Sequence, residues 1–126
     1  MSGTEHFTGE YYFNGKPIYA KTIYIASLPN ATNKTYNHNI SDVDAIWFDK
    51  SKCFAAWHSG GWSAVSFPYF AGSTTSYVDC YCVNTTRFFI DTGKYNRTDM
   101  QAYITLNYTK TTDNANENII TATPAN

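Results

Sequence analysis

The segment Trp57-His58-Ser59-Gly60-Gly61-Trp62 sets two indoles and an imidazole around a glycine turn. Those groups suit sugars. Aromatic faces stack on the C–H surface of a sugar ring, and imidazole or amide groups hydrogen-bond its hydroxyls. Tyr69 and Tyr77 follow in the next segments, so Trp57, His58, Trp62, Tyr69 and Tyr77 form the candidate ligand-binding set. The same residues have a plainer reading, in which a glycine turn joins two strands whose Trp side chains pack as core or against another copy of the chain.

Groups for bond-breaking chemistry are present but fall into no catalytic pattern. Hydrolysis by paired carboxylates needs two acids at a set separation. Asp42, Asp44, Asp49, Asp79, Asp91 and Asp99 lie in no recognisable signature, and turn or surface roles account for them. The histidines are His6, His38 and His58, and the chain has no Gly-x-Ser-x-Gly elbow to pair with them. No enzymatic activity is expected. The three cysteines, Cys53, Cys80 and Cys82, include no Cys-x-x-Cys pair. An odd count argues against a disulfide framework, and the spacing argues against zinc, so no metal or cofactor is expected. On a strand Cys80 and Cys82 would face the same way, and all three read as small apolar filler. Asn-x-Ser/Thr triplets start at Asn30, Asn33, Asn39, Asn84, Asn96 and Asn107, which the abundance of Asn and Thr explains.

The elements that must position these groups are strands. Aromatics make up 17% of the 126 residues, with 11 Tyr, 8 Phe and 3 Trp, while charged residues make up only 15%. Aromatic and β-branched residues suit a pleated, half-buried surface. Apolar residues recur with period two, and no amphipathic helix is apparent. Strands are predicted at Glu10–Phe13, Pro17–Ala26, Asp44–Asp49, Cys53–His58, Trp62–Phe67, Ser76–Val83, Thr86–Asp91 and Met100–Thr109. Asn14-Gly15 is expected to form a type I′ hairpin turn. Leu28 to Asn37 reads as a polar loop, with Tyr36–Ile40 a short extended segment, and Pro68–Thr74 reads as another loop. Met100, Ala102, Ile104, Leu106 and Tyr108 should face a core, with Gln101, Tyr103, Thr105, Asn107 and Thr109 facing water. The predicted fold is all-β: an antiparallel sandwich, jelly-roll-like, of about seven to eight strands over residues 1–113. Residues 114–126 are expected to form a flexible tail.

Charge and hydropathy exclude several partners. The formal net charge is −1 and no block of Lys or Arg occurs, so nucleic acid has no electrostatic footprint to bind. No apolar run approaches the ~20 residues of a membrane span, and no membrane insertion is expected. The N-terminus lacks the basic and apolar regions of a signal peptide. Free thiols fit folding in a reducing cytoplasm.

Three segments in order give the chain a family resemblance. Gly9-Glu-Tyr-Tyr-Phe-Asn-Gly-Lys-Pro-Ile-Tyr-Ala-Lys-Thr-Ile23 is one. Leu28-Pro-Asn30 followed by Tyr36-Asn-His-Asn-Ile-Ser-Asp-Val-Asp-Ala-Ile46 is the second. Tyr103-Ile-Thr-Leu-Asn-Tyr-Thr-Lys-Thr-Thr-Asp113 is the third. Together they resemble the C-terminal tip domain of tail fibre proteins from phages and prophages of Gram-positive bacteria. The likeness runs over residues 3 to 113 and leaves residues 47 to 90 without a fixed pattern, which makes them the expected host-specific surface. Relatives often carry Gly where Asn39 stands, and Asn adopts left-handed backbone less readily, so the turn there is expected to differ. The resemblance implies a non-enzymatic host-recognition module on the distal tail fibre of a virion, folded in the host cytoplasm and joined to an upstream fibre shaft. It also implies a homotrimer around the shaft axis, binding a bacterial cell-surface or cell-wall polysaccharide through several weak sites. A structural trimerisation cap without a ligand, a polysaccharide-cleaving tip, and an adhesin or bacteriocin fibre tip remain alternatives at this point.

Overall fold

A computed structural model describes residues 3–60, 64–70, 72, 77–115 and 122–125. Among them, ten strands replace the seven or eight expected: β1 (His6–Tyr11), β2 (Pro17–Ile25), β3 (Asn33–Asn37), β4 (Val43–Phe48), β5 (Phe54–Trp57), β6 (Val65–Ser66), β7 (Tyr69–Phe70), β8 (Tyr77–Tyr81), β9 (Arg87–Asp91) and β10 (Met100–Lys110). They form two antiparallel sheets, so the all-β, sandwich-like class predicted from period-two patterning is the observed one. The six-stranded sheet runs β1-β2-β10-β5-β6, with β4 also paired to β10, and the four-stranded sheet runs β3-β9-β8-β7. Early and late strands nest: β2 pairs with β10 in one sheet, and β3 pairs with β9 in the other.

β10 organises the molecule. Its alternation places Met100, Ala102, Ile104, Leu106 and Tyr108 on the inner face, and all five are fully buried. They meet Val78 and Cys80 of β8 and Phe88 and Ile90 of β9 in one hydrophobic cluster. Burying each large apolar side chain of this set stabilises the fold by about 1.5–3 kcal/mol. Phe48 meets Phe88 edge-on across the sheets at 6.0 Å, and Tyr36 stacks on it from β3 at 5.8 Å.

The outer face of β10 is drier than its Thr and Asn content predicts, for Thr105 and Thr109 are both buried. Each repairs a break in the sheet. β4 and β5 pair with opposite ends of β10, separated by a 3-10 turn at Lys50–Lys52. At that gap the Thr105 hydroxyl donates to Lys52 O at 2.9 Å, and Thr105 O accepts the Asp49 N–H at 2.9 Å. At an irregularity between Tyr108 and Lys110, the Thr109 hydroxyl accepts the Ala45 N–H at 3.0 Å. A hydroxyl on each otherwise unpaired backbone group makes burial tolerable.

Several local expectations are corrected. The β1–β2 connection is a three-residue loop, not a type I′ turn. Gly15 N–H donates to Tyr12 O, Tyr12 N–H donates to Lys16 O, and Gly15 alone takes positive φ, at +85°. That is a type I turn closed by a left-handed glycine. β1 also starts earlier than predicted, and its irregular register between Phe7 and Tyr11 surrounds Gly9 at φ +87°. Asn33–Asn37 is a strand rather than a loop, because pairing with β9 overrides a polar, exposed composition. Tyr69–Phe70 pairs with β8 inside the segment read as loop. β8 ends at Tyr81, and Cys82 follows at φ +51° with its side chain exposed. Cys80 and Cys82 therefore do not share a face, and Cys82 is no core filler. Cys53 and Cys80 are buried free thiols. Their mutual hydrogen bond holds the Cys53 thiol below its usual range and pushes that of Cys80 up. Asn39 adopts left-handed backbone at φ +58°, a conformation open to Asn more than to most residues with a side chain. His38 supports it by accepting the Ile40 N–H at 3.1 Å through Nδ1.

Of the expected tail, residues 116–121 and 126 lie outside the described residues, and 122–125 are exposed and in no strand. Among the described residues, no helix is long and apolar enough to cross a membrane.

Candidate functional site

The candidate set divides between two surfaces. Trp57 lies opposite Met100 in the β5–β10 register, so its indole faces inward at the rim of the sandwich. Tyr69 lies opposite the buried Val78 on β7 and faces inward from the other sheet. The two rings meet edge-to-face with centroids 5.9 Å apart and planes at 85°, a favoured aromatic geometry. With Ala64 and Val65 they line an open depression of about 340 Å³. Both rings are half-buried, so the packing reading of these aromatics holds in part, and their outer edges remain available.

His58 follows at the end of β5. Its N–H donates to Asp99 O at 3.0 Å, and its ring Nε2 lies 2.6 Å from Ala26 O. A carbonyl only accepts, so Nε2 carries a proton in this contact. This anchoring fixes an exposed imidazole at Ala26, beyond the end of β2, and His58 does not line the depression between Trp57 and Tyr69. Gly60 takes φ +69° in the turn beyond it. Trp62, the second indole of the motif, lies outside the described residues.

Tyr77 stands elsewhere. It pairs with Phe70, which, as the neighbour of the inward-facing Tyr69, faces outward. Tyr77 is therefore on the outer face of the four-stranded sheet, its ring 6.0 Å from that of Phe70. Its hydroxyl donates to Asp91 Oδ2 at 2.8 Å, and this hydrogen bond to a carboxylate pushes the phenol pKa up. Further along the same face Tyr81 stacks on Phe89 at 5.4 Å. Asp79 is held by Lys50, whose ammonium donates to Asp79 Oδ1 at 2.8 Å and to Cys80 O at 2.7 Å. That ammonium ties the 3-10 turn of one sheet to β8 of the other.

The sequence reading missed Tyr81 and Phe89, although the alternation Tyr77, Asp79, Tyr81 against Val78 and Cys80 carried the signal. It also missed a more enclosed hollow on the outer face of the six-stranded sheet, walled by Trp47 and Asn107. Among the described residues, no three His, Cys, Asp or Glu side chains are grouped to hold a metal ion. Compared with protein families, curated proteins and solved structures, the chain matches none.

Proposed function

We propose that this chain is the host-recognition tip of a phage tail fibre, a non-enzymatic module that binds a bacterial surface or cell-wall polysaccharide as a homotrimer. The carrying observation is the rim where Trp57 and Tyr69 meet edge-to-face around an open depression. Two aromatic edges around a depression of about 340 Å³ form a shallow surface suited to one part of a sugar chain. Weak affinity at one such rim becomes firm attachment when three copies sit on one shaft.

Exposed aromatics support the assembly part of this reading. Phe7, Tyr11 and Phe13 are 47%, 62% and 81% exposed and share β1 and its turn. A cluster of this kind marks an interaction surface more often than a solvated one. The same patch favours a second reading, in which the domain only caps and trimerises the fibre. Light scattering and glycan binding separate the two. The fibre-tip reading expects a solution mass near three times 14.2 kDa. It also expects binding to purified cell-wall polysaccharide that Trp57→Ala or Trp62→Ala removes while the assembly persists. A trimer that binds no polysaccharide favours the cap. Release of reducing ends from the polysaccharide would replace both readings with an enzyme.

A further inference from the structure

We propose that the hollow on the outer face of the six-stranded sheet is a second binding site, shaped for a single neutral sugar ring. The inference deepens the sugar-binding reading above, but it stands on different residues.

Asn107 of β10 and Trp47 of β4 are direct partners in register, so their side chains stand together on the outer face. Phe7 and Glu10 of β1 form one wall, and Asp49 and Lys52, carried by the 3-10 turn, form the other. The enclosed volume is about 210 Å³. That is below the roughly 300–1,000 Å³ of sites for drug-sized ligands, and it suits one ring. It is also several times the ~30 Å³ that one water takes up in the liquid, so a single ordered water leaves most of it empty.

The chemistry of the walls selects the ligand. Asn107 Oδ1 is buried and has no hydrogen-bond partner among the described residues. A buried, unmade acceptor is costly to leave, and a half-turn of the side-chain amide would bring it to the hollow, where a ligand hydroxyl would satisfy it. Glu10 and Asp49 add carboxylate acceptors. The basic groups in the wall are His6 and Lys52, and the Lys52 ammonium lies 3.9 Å from Asp49. Acceptors and negative charge therefore predominate, which favours a ligand rich in O–H donors and opposes phosphate, sulfate or a sugar acid. Trp47 supplies the flat apolar surface for the C–H face of a ring. Its indole is already stacked on Tyr12 at 5.3 Å and 23°, so little ordering remains to be done on binding.

The test is a titration of the isotope-labelled chain, followed by NMR. The probes are methyl α-D-glucopyranoside and N-acetylglucosamine as neutral rings, and glucose 6-phosphate as the anionic control. The expected result is a saturable, millimolar shift of the Trp47 indole N–H and the Asn107 side-chain amide with a neutral ring, at least about tenfold weaker with glucose 6-phosphate. Asn107→Leu should weaken neutral-ring binding about tenfold. Glu10→Gln, on an exposed edge-strand position, should weaken it severalfold and keeps the test open if the first variant misfolds. No shift with either neutral ring up to about 100 mM, tighter binding of glucose 6-phosphate, or full affinity in both variants would overturn the proposal and leave only ordered water in the hollow. Trp57→Ala separates this inference from the reading it deepens. If that variant loses polysaccharide while the Trp47 and Asn107 signals never move, the hollow fails and the rim stands. If Trp57→Ala keeps polysaccharide and the hollow titrates, the rim fails and the hollow stands.

Discussion

The rim at Trp57 and the hollow at Trp47 are each walled by an indole, yet they are built on opposite principles. The rim lies between the sheets, where core packing runs out, and its rings already satisfy one another edge-to-face. The hollow lies on the outer face of one sheet and leaves a buried acceptor unsatisfied. The rim offers apolar area from two aromatic rings and two small apolar neighbours. The hollow offers little area but several directed acceptors. Area gives affinity with little discrimination, while an unpaired buried acceptor rejects any ligand without the matching donor. The difference teaches where selectivity should reside: in the hollow for ring identity, and at the rim for attachment to the chain as a whole.

Both sites hang from β10, and the largest predicted effect exploits that. Met100 lies beside Trp57 and Asn107 beside Trp47, with Ile104 fully buried between them. Ile104→Ala should destabilise the fold by about 2–5 kcal/mol, measured as a shift in the urea midpoint, and should weaken both sites together. A variant that lost one site and kept the other at full stability would show that β10 is not their common support. Trp57→Ala comes next. It should weaken polysaccharide binding by about 2 kcal/mol, or roughly thirtyfold, as loss of a central aromatic anchor does. Tyr69→Phe should retain most of the affinity, because the edge-to-face contact needs the ring and not the hydroxyl. Equal losses in Trp57→Ala and Tyr69→Phe, read by calorimetry, would mean that the Tyr69 hydroxyl contacts the ligand as well as the Trp57 ring.

The rim and the hollow were not equally legible beforehand. Trp57, His58 and Gly60 are neighbours in the chain, so a local motif announced the rim. Tyr77 was misplaced because only the pairing of β7 with β8 reveals that it stands opposite Phe70 on the outer face. The hollow draws residues from β1, β4, β10 and the 3-10 turn, and no single segment carries its signature. Trp47 read as one more strand aromatic, and Asn107 as part of a chance Asn-x-Thr triplet. The core alternation of β10 was plain because five apolar residues share one face over a long strand. The Thr side of that strand misled, because hydrophilic side chains predict water, whereas Thr105 and Thr109 spend their hydroxyls on backbone gaps. β3 was hidden for a related reason: an edge strand made of Asn, Lys and Thr owes its existence to its partner β9.

The smallest predicted effect distinguishes the two regions by pH. Glu5, just before β1, accepts hydrogen bonds from the Tyr108 hydroxyl and the Lys110 ammonium. Burial alone would raise the carboxyl pKa, but the bonds from Lys110 and Tyr108 outweigh it and hold Glu5 below the usual carboxylate range. A depressed carboxyl pKa contributes stability above its unfolded value, and that contribution is lost as pH falls through the folded value. Lys110 is raised chiefly by the same bond, so its share persists until strongly alkaline pH. The clip is partly exposed, and screening limits it to about 1 kcal/mol. It holds the start of β1, which walls the hollow, and touches nothing at the rim. Amide protection in His6–Tyr11 should therefore fall as pH drops below the usual glutamate value of about 4.5 while Phe54–Trp57 stays protected. Glu5→Gln should show the looser β1 already at neutral pH and lose the acid dependence. Parallel loss of protection in β1 and β5 would mean that acid acts on the whole sandwich and that the hollow has no separate support.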